Sequence, residues 1–290
     1  MSIIAFFSSL FSVRLSGEKN YTELLNLSYG PSANQSLDLF LPADVAETGI
    51  LIYIHGGTWI SGSKKNARNN LKDLCLKYKI AAAGLDYRFV GKNKSNMETD
   101  CVGMLDDIGN AVKLIRKTAA EKGVKITKAI FWGHSAGSHL CMLYAYKFRD
   151  TSEITPVAVI DECGPVDLTI EHFYTENEMS QTTATDLLSR LSGFEFTMDN
   201  FEQAKPYLLE ISPIKYVDTA VPTLIAHGMV DHVVPYENAV ILDAALTERN
   251  IRHDLISFPS SGHDLNQDKT STEQYDRLWY EYITEYLFDN

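Results

Sequence analysis

Cysteine is scarce in this 290-residue chain: Cys75, Cys101, Cys141 and Cys163 stand far apart, with no Cys-x-x-Cys pair. That pattern excludes a disulfide-stapled scaffold and predicts free thiols packed as small hydrophobes, which points to a cytoplasmic setting and leaves secretion open. No run reaches the roughly 18 apolar residues of a membrane span, so stable membrane insertion is not expected. Basic charge is short too. Lys and Arg number 26 against 38 Asp and Glu, a net charge of −12, which excludes nucleic acid as a general partner. Metal-ligand spacing is missing: there is no His-Glu-x-x-His and no Cys/His cluster, so no metal is expected. No G-x-G-x-x-G follows the first strand pattern, and the Gly57–Lys64 loop ends in Gly-Ser-Lys with bulky Trp59 and Ile60 inside. Neither a nicotinamide nor a Walker-type phosphate site fits, and no cofactor is expected.

What is present is an alternation. Strand patterns lie at Ser36–Phe40, Gly49–Ile54, Ile80–Leu85, Lys128–Trp132, Val157–Glu162, Thr223–His227 and Asp254–Phe258. Helical patterns lie between and after them, at Asn66–Tyr78, Met104–Glu121, Ser138–Phe148, Tyr236–Arg249 and Ser271–Phe288. Strands alternating with helices predict an α/β fold, a mostly parallel sheet covered on both faces, in one domain over residues 1–290. Thr169–Val221 breaks the rhythm with helical patches and no strand. A structureless loop of that length is improbable, so the segment reads as a small helical cap inserted over the site. Ile3, Ile4, Phe6, Phe7, Leu10 and Phe11 recur at helical spacing, without preceding Lys or Arg and without a cleavage site. Residues 1–15 therefore read as an amphipathic helix rather than a signal peptide.

The chemistry gathers around Gly133-His134-Ser135-Ala136-Gly137, where a buried strand pattern passes into a helix. A serine hydroxyl is a poor nucleophile alone. It needs a base, an acid to orient the base, and donors for the oxyanion. Of the eight histidines (His55, His134, His139, His172, His227, His232, His253 and His263), only His263 follows the last strand in a turn-rich loop, Pro259-Ser260-Ser261-Gly262-His263. Asp231, in the glycine-led loop after Thr223–His227, is placed to reach the back of that imidazole. Asp264 is the rival acid, but adjacent side chains rarely meet head-on, and it reads as surface or loop-capping. Paired glycines in His55-Gly56-Gly57-Thr58-Trp59 leave backbone N–H groups unshielded. Gly57, Thr58 and Ala136 are the expected oxyanion donors, and Trp59 and His134 the expected substrate contacts. Asp86-Tyr87-Arg88 reads as a brace for the loop after its strand.

The order Ser135, Asp231, His263 resembles the α/β-hydrolase superfamily, in particular its HGG-motif esterase/lipase branch. The resemblance runs from about Leu37 to the C-terminus, through LDLFLP, HGGTW, DYR, GHSAG, GPVD, HGMVDHVVP and SGHDL. It is similar to hormone-sensitive-lipase-like and to acetyl- or feruloyl-type esterases. Thr58 replaces the third glycine of HGGG, and the resulting H-G-G-x-W is also similar to kynurenine formamidases. The resemblance implies the α/β-hydrolase fold and hydrolysis of a small-molecule carboxylic ester, short-chain for preference, through an acyl-enzyme. An arylformamidase or amidase is the alternative, and an inactive ligand-binding homologue the non-enzyme reading. A homodimer is left open.

Overall fold

A computed structural model describes residues 20–171 and 180–288 of the chain. The expected helix over residues 1–15, and His172 with Phe173 and Tyr174, lie outside the described residues.

Eight strands form one sheet: β1 (Tyr21–Ser28), β2 (Ser36–Pro42), β3 (Glu47–Ile54), β4 (Ala81–Leu85), β5 (Lys125–His134), β6 (Thr155–Glu162), β7 (Thr223–Gly228) and β8 (His253–Phe258). Their order is β1-β2-β4-β3-β5-β6-β7-β8. From β4 through β8 every pairing is parallel, whereas β1 pairs β2, and β2 pairs β4, antiparallel. All seven expected strands are present within a few residues. β1 was not expected, because its alternation of half-exposed side chains in Tyr-Thr-Glu-Leu-Leu-Asn-Leu-Ser carries little hydrophobic signal at a sheet edge.

Alternate side chains of each strand feed opposite faces. Ile50, Ile52 and Ile54 of β3, with Ala129 and Phe131 of β5, pack against α2 (Cys101–Glu121), α3 (Ala136–Lys147) and α6 (Glu237–Glu248). Leu51 and Tyr53, with Ile130 and Trp132, pack against α1 (Arg68–Tyr78) and α7 (Lys269–Leu287). Both faces of the inner strands are dry, so these strands read as continuous apolar runs rather than as alternating ones.

The insertion carries α4 (Gln181–Ser192) and α5 (Phe201–Glu210), followed by a 3-10 turn at Pro213–Thr219. Arg190 of α4 donates to the Val90 and Gly91 carbonyls in the loop after β4, and Ser212 Oγ accepts from Leu168 N at 2.9 Å. The described part of the insertion is thereby tied to the loops at the C-terminal ends of the strands.

The chain leaves β3 for β4 on one side, then returns to β5 on the other. This reversal opens a crevice outside the carboxyl ends of β3 and β5, the usual ligand position in such sheets. The HGGTW loop leaves β3 there and Ser135 leaves β5 there.

Candidate active site

Between the last residue of β5 and the first of α3, Ser135 stands alone at φ 56, ψ −125. A non-glycine residue held at positive φ is strained, and such strain collects at functional sites. Contact explains the flanking glycines. A Cβ on Gly133 would lie 2.5 Å from the Gly137 backbone, and one on Gly137 would lie 2.1 Å from the Ile54 carbonyl oxygen. The turn presses against the end of β3 and tolerates no side chain at either position.

Ser135 and His263 border one cavity of about 330 Å³, with Tyr53, Gly56, Gly57, Thr58, Gly62, Asn66, His134, Val233 and Asp264. His263 Nδ1 lies 2.7 Å from Asp231 Oδ2. The carboxylate can only accept, so Nδ1 carries the proton and Nε2 is left basic. Among the described residues no hydrogen bond joins the Ser135 hydroxyl to His263. Such contacts commonly tighten only when substrate is bound.

Asp231 is set by its loop. Its side chain is fully buried, and Oδ1 accepts from Val233 N at 2.8 Å and Val234 N at 2.9 Å. His227 Nε2 sits 3.4 Å from Oδ2 while also donating to the Val234 carbonyl at 2.9 Å. Burial by itself pushes the Asp231 carboxyl up, but the hydrogen bonds from His227 and His263 outweigh it and hold the group well below the usual carboxylate range. It stays ionised.

His134 lies against His263 with its ring tilted, centroids 4.6 Å apart, and its Nε2–H donates to the His263 carbonyl at 2.9 Å. Burial, with the facing His263 ring adding, pushes its pKa down to about 3. A neutral imidazole that clamps the backbone of the His263 loop fits this geometry. Asp264 borders the cavity but makes no hydrogen bond to His263 among the described residues.

The HGGTW loop holds Gly57 at φ 116 and both Thr58 and Trp59 at φ 56. For β-branched Thr58 this is a costly conformation. A Cβ on Gly57 would lie 2.2 Å from the Ser61 carbonyl oxygen, so the loop requires glycine there. Among the described residues the N–H groups of Gly57 and Thr58 find no acceptor, although Gly57 O accepts from Ile60 N and Ser61 N. Ala136 N–H begins α3, where the helix end adds partial positive charge. The loop's far end is anchored by Lys64, a buried ammonium bonded to Ser36 Oγ at 2.7 Å and to the Asp86 carboxylate. Tyr87 donates to the His55 carbonyl at 3.0 Å, and Arg88 clasps the buried Asp107. The Asp-Tyr-Arg segment, expected to hold the loop after its own strand, also braces the HGGTW loop after β3.

Trp59 does not stand where the sequence placed it. It is 2% exposed and does not border the cavity. Its indole N–H donates to His139 Nδ1 at 3.3 Å, and His139 Nε2–H donates to the Ile211 carbonyl at 2.7 Å. Burial pushes His139 down to about 4, so this imidazole is a neutral bridge. Trp59 ties the HGGTW loop to α3 and the insertion, from a backbone held at φ 56. Tyr53, Asn66 and Val233 line the cavity instead. Sequence reasoning missed them because only the fold brings their three elements together. His227, which with His232 flanks Asp231 and reads from the sequence as loop chemistry, stands on β7 with its ring against the Asp231 carboxylate.

The profile of the BD-FAE family matches residues 37–246, from β2 into α6. The chain belongs to the BD-FAE family. Among characterised proteins, this BD-FAE chain is 31% identical over 161 residues to endo-1,4-beta-xylanase B of Butyrivibrio fibrisolvens, a match covering 56% of the chain and 24% of that protein. The chain thus matches only about a quarter of the length of that relative. Among solved structures it is similar to a truncated carbohydrate esterase from gut microbiota, with a TM-score of 0.71 and 22% identity over 93% of this chain and 98% of that one. Esterase B of Lactobacillus rhamnosis superposes with a TM-score of 0.68 and 19% identity over 92% of this chain and 89% of that one. These likenesses establish the α/β-hydrolase fold. Among the described residues no helix is long and apolar enough to cross a membrane.

Proposed function

We propose that this chain hydrolyses carboxylic esters through an acyl-enzyme. Ser135 attacks the ester carbonyl while His263 Nε2 takes its proton, and the tetrahedral oxyanion is received by the N–H groups of Gly57, Thr58 and Ala136. His263 then returns the proton to the leaving alcohol. Water repeats the sequence on the acyl-enzyme, and Asp231 holds the imidazole and offsets its positive charge throughout. The 2.7 Å contact between Asp231 and His263, on a cavity that also exposes Ser135, carries this reading. The small cavity favours a short acyl group, since each added CH₂ contributes about 0.8 kcal/mol only where apolar wall receives it.

The same reading takes residues 169–221 as a cap over the substrate. The named relatives include a xylanase and a carbohydrate esterase, which makes esters borne on carbohydrate the substrates to try first. Four buried free thiols support a cytoplasmic location. The test is turnover of p-nitrophenyl esters from acetyl to dodecanoyl, of acetylated xylan and of N-formylkynurenine, with an organophosphonate probe expected to add once, at Ser135. Probe addition elsewhere, or binding of esters without turnover, overturns the proposal.

A further inference from the structure

Cys163 has no part in the reaction just proposed, yet it sits under its base. It follows β6 at φ 53, fully buried. Its sulfur and one ring nitrogen each from His134 and His263 all lie within 4.8 Å of one another. A second set, Cys163 with His227 and Asp231, is equally tight. The two differ in access. The side chains of His227 and Asp231 are fully buried, whereas His134 and His263 border the cavity.

We propose that a thiophilic divalent cation, zinc being the probe, binds between His134, Cys163 and His263 and shuts the site down. The proposal rests on the hydrolase reading for its effect on turnover. Three atoms no more than 4.8 Å apart leave a point within about 2.8 Å of each, and zinc bonds of about 2.0–2.3 Å then need shifts of at most about 0.5–0.8 Å. Two imidazoles and a thiolate are a donor set that borderline-soft cations select over magnesium or calcium. Burial, and then the carboxylates of Asp231, Asp161 and Glu162, push the Cys163 thiol up when no cation is bound, so the cation must displace the thiol proton, and the same negative charges attract it. On binding, the thiol proton leaves to solvent and a sulfur–metal bond replaces the S–H bond.

Inhibition follows whichever nitrogen of His263 is taken. A cation on Nδ1 displaces Asp231, and one on Nε2 occupies the position that must accept the Ser135 proton. Either removes the base.

The experiment titrates the full-length protein with zinc chloride while following p-nitrophenyl acetate hydrolysis, then adds EDTA. Inhibition at micromolar zinc, reversed by EDTA and weakened at least tenfold in Cys163→Ala, is the expected result. Cobalt(II) is added in parallel, and a thiolate-to-metal absorption band should appear in the parent protein and be absent from Cys163→Ala. This band is read without any turnover, so failure of the hydrolase reading leaves the metal proposal testable. Equal inhibition of parent and variant, or no thiolate band with cobalt, overturns it. A melting curve for Cys163→Ala, with Cys163→Ser as a second variant, separates loss of the site from loss of the fold.

Discussion

Asp231 and Glu162 occupy comparable places and are held in opposite states. Both lie at the carboxyl ends of adjacent strands, β7 and β6, and both are buried. Burial opposes charge on each. Asp231 receives two backbone N–H groups and the His263 imidazole, with His227 Nε2 3.4 Å from Oδ2, and is kept far below the ordinary carboxylate range. Glu162 Oε1 receives only Trp132 Nε1 at 3.0 Å and Tyr275 OH at 2.6 Å, and burial pushes it up to about 7. Its neighbour Asp161, with Gly164 N on Oδ1 and no partner for Oδ2, is pushed by burial to about 6. The hydrogen-bond donors around each group, together with somewhat shallower burial for Asp231, keep that carboxylate ionised beside His263.

The sharpest way to break this contrast is Asp231→Asn. The amide offers one acceptor oxygen and an NH₂ donor where the carboxylate offers two acceptors, so His263 loses its tautomer, and kcat/KM for p-nitrophenyl acetate should fall about 10⁴-fold. Ser135→Ala should cost at least as much, with melting curves confirming retained folds. A near-native Asp231→Asn would mean that the ionised carboxylate is incidental.

Neutral packing at the same edge provides the second comparison. Trp59→Ala removes a buried indole and its bond to His139 and should destabilise by about 3–5 kcal/mol in chemical denaturation. The preferred acyl length should not move, because Trp59 does not face the cavity. A shift toward longer esters would put the indole back in the acyl site.

His227→Phe strips one donor from Asp231. A polar contact with a charged group contributes about 1.5–3 kcal/mol, so kcat/KM should drop by about tenfold to a hundredfold. Glu and Gln at position 227 separate the donor from the ring: Gln should recover part of the rate and Glu none.

The smallest effect is a slope. Glu162 titrates near 7 in the folded protein against an ordinary 4.5. Between those values the folded chain holds a proton the unfolded chain has released, so stability declines as pH rises through that window. Glu162→Gln should flatten the upper part of the decline in Tm, and Asp161, whose window runs from 3.8 to about 6, should preserve the lower part. An unchanged slope above pH 6 would show that Glu162 is ionised in the fold.

Much of this was readable in one dimension. Gly-His-Ser-Ala-Gly announced a strand-to-helix turn, because glycines on both sides of a serine serve a backbone that tolerates no side chain there. His263 and Asp231 were legible because each follows a strand in a turn-rich loop, and parallel strands deliver such loops to one edge. The direction of Trp59 was not legible. It depends on a positive φ that nothing in His-Gly-Gly-Thr-Trp specifies, and the same residue could have faced the cavity. β1 was hidden because an antiparallel edge strand with one face in water carries a weak pattern.

The sequence by itself determined the fold class, the glycine turns and the chain order in which Ser135, Asp231 and His263 reach one edge of the sheet. These depend on local backbone chemistry and on hydrophobic periodicity, both of which are written in consecutive residues. Only the tertiary structure decided which carboxylate is charged, that His134 clamps the backbone of the His263 loop, and that Cys163 lies against His134 and His263. Those outcomes depend on distances between β5, β6 and the loops after β7 and β8, and burial and hydrogen bonding across such distances arise only when the sheet is assembled.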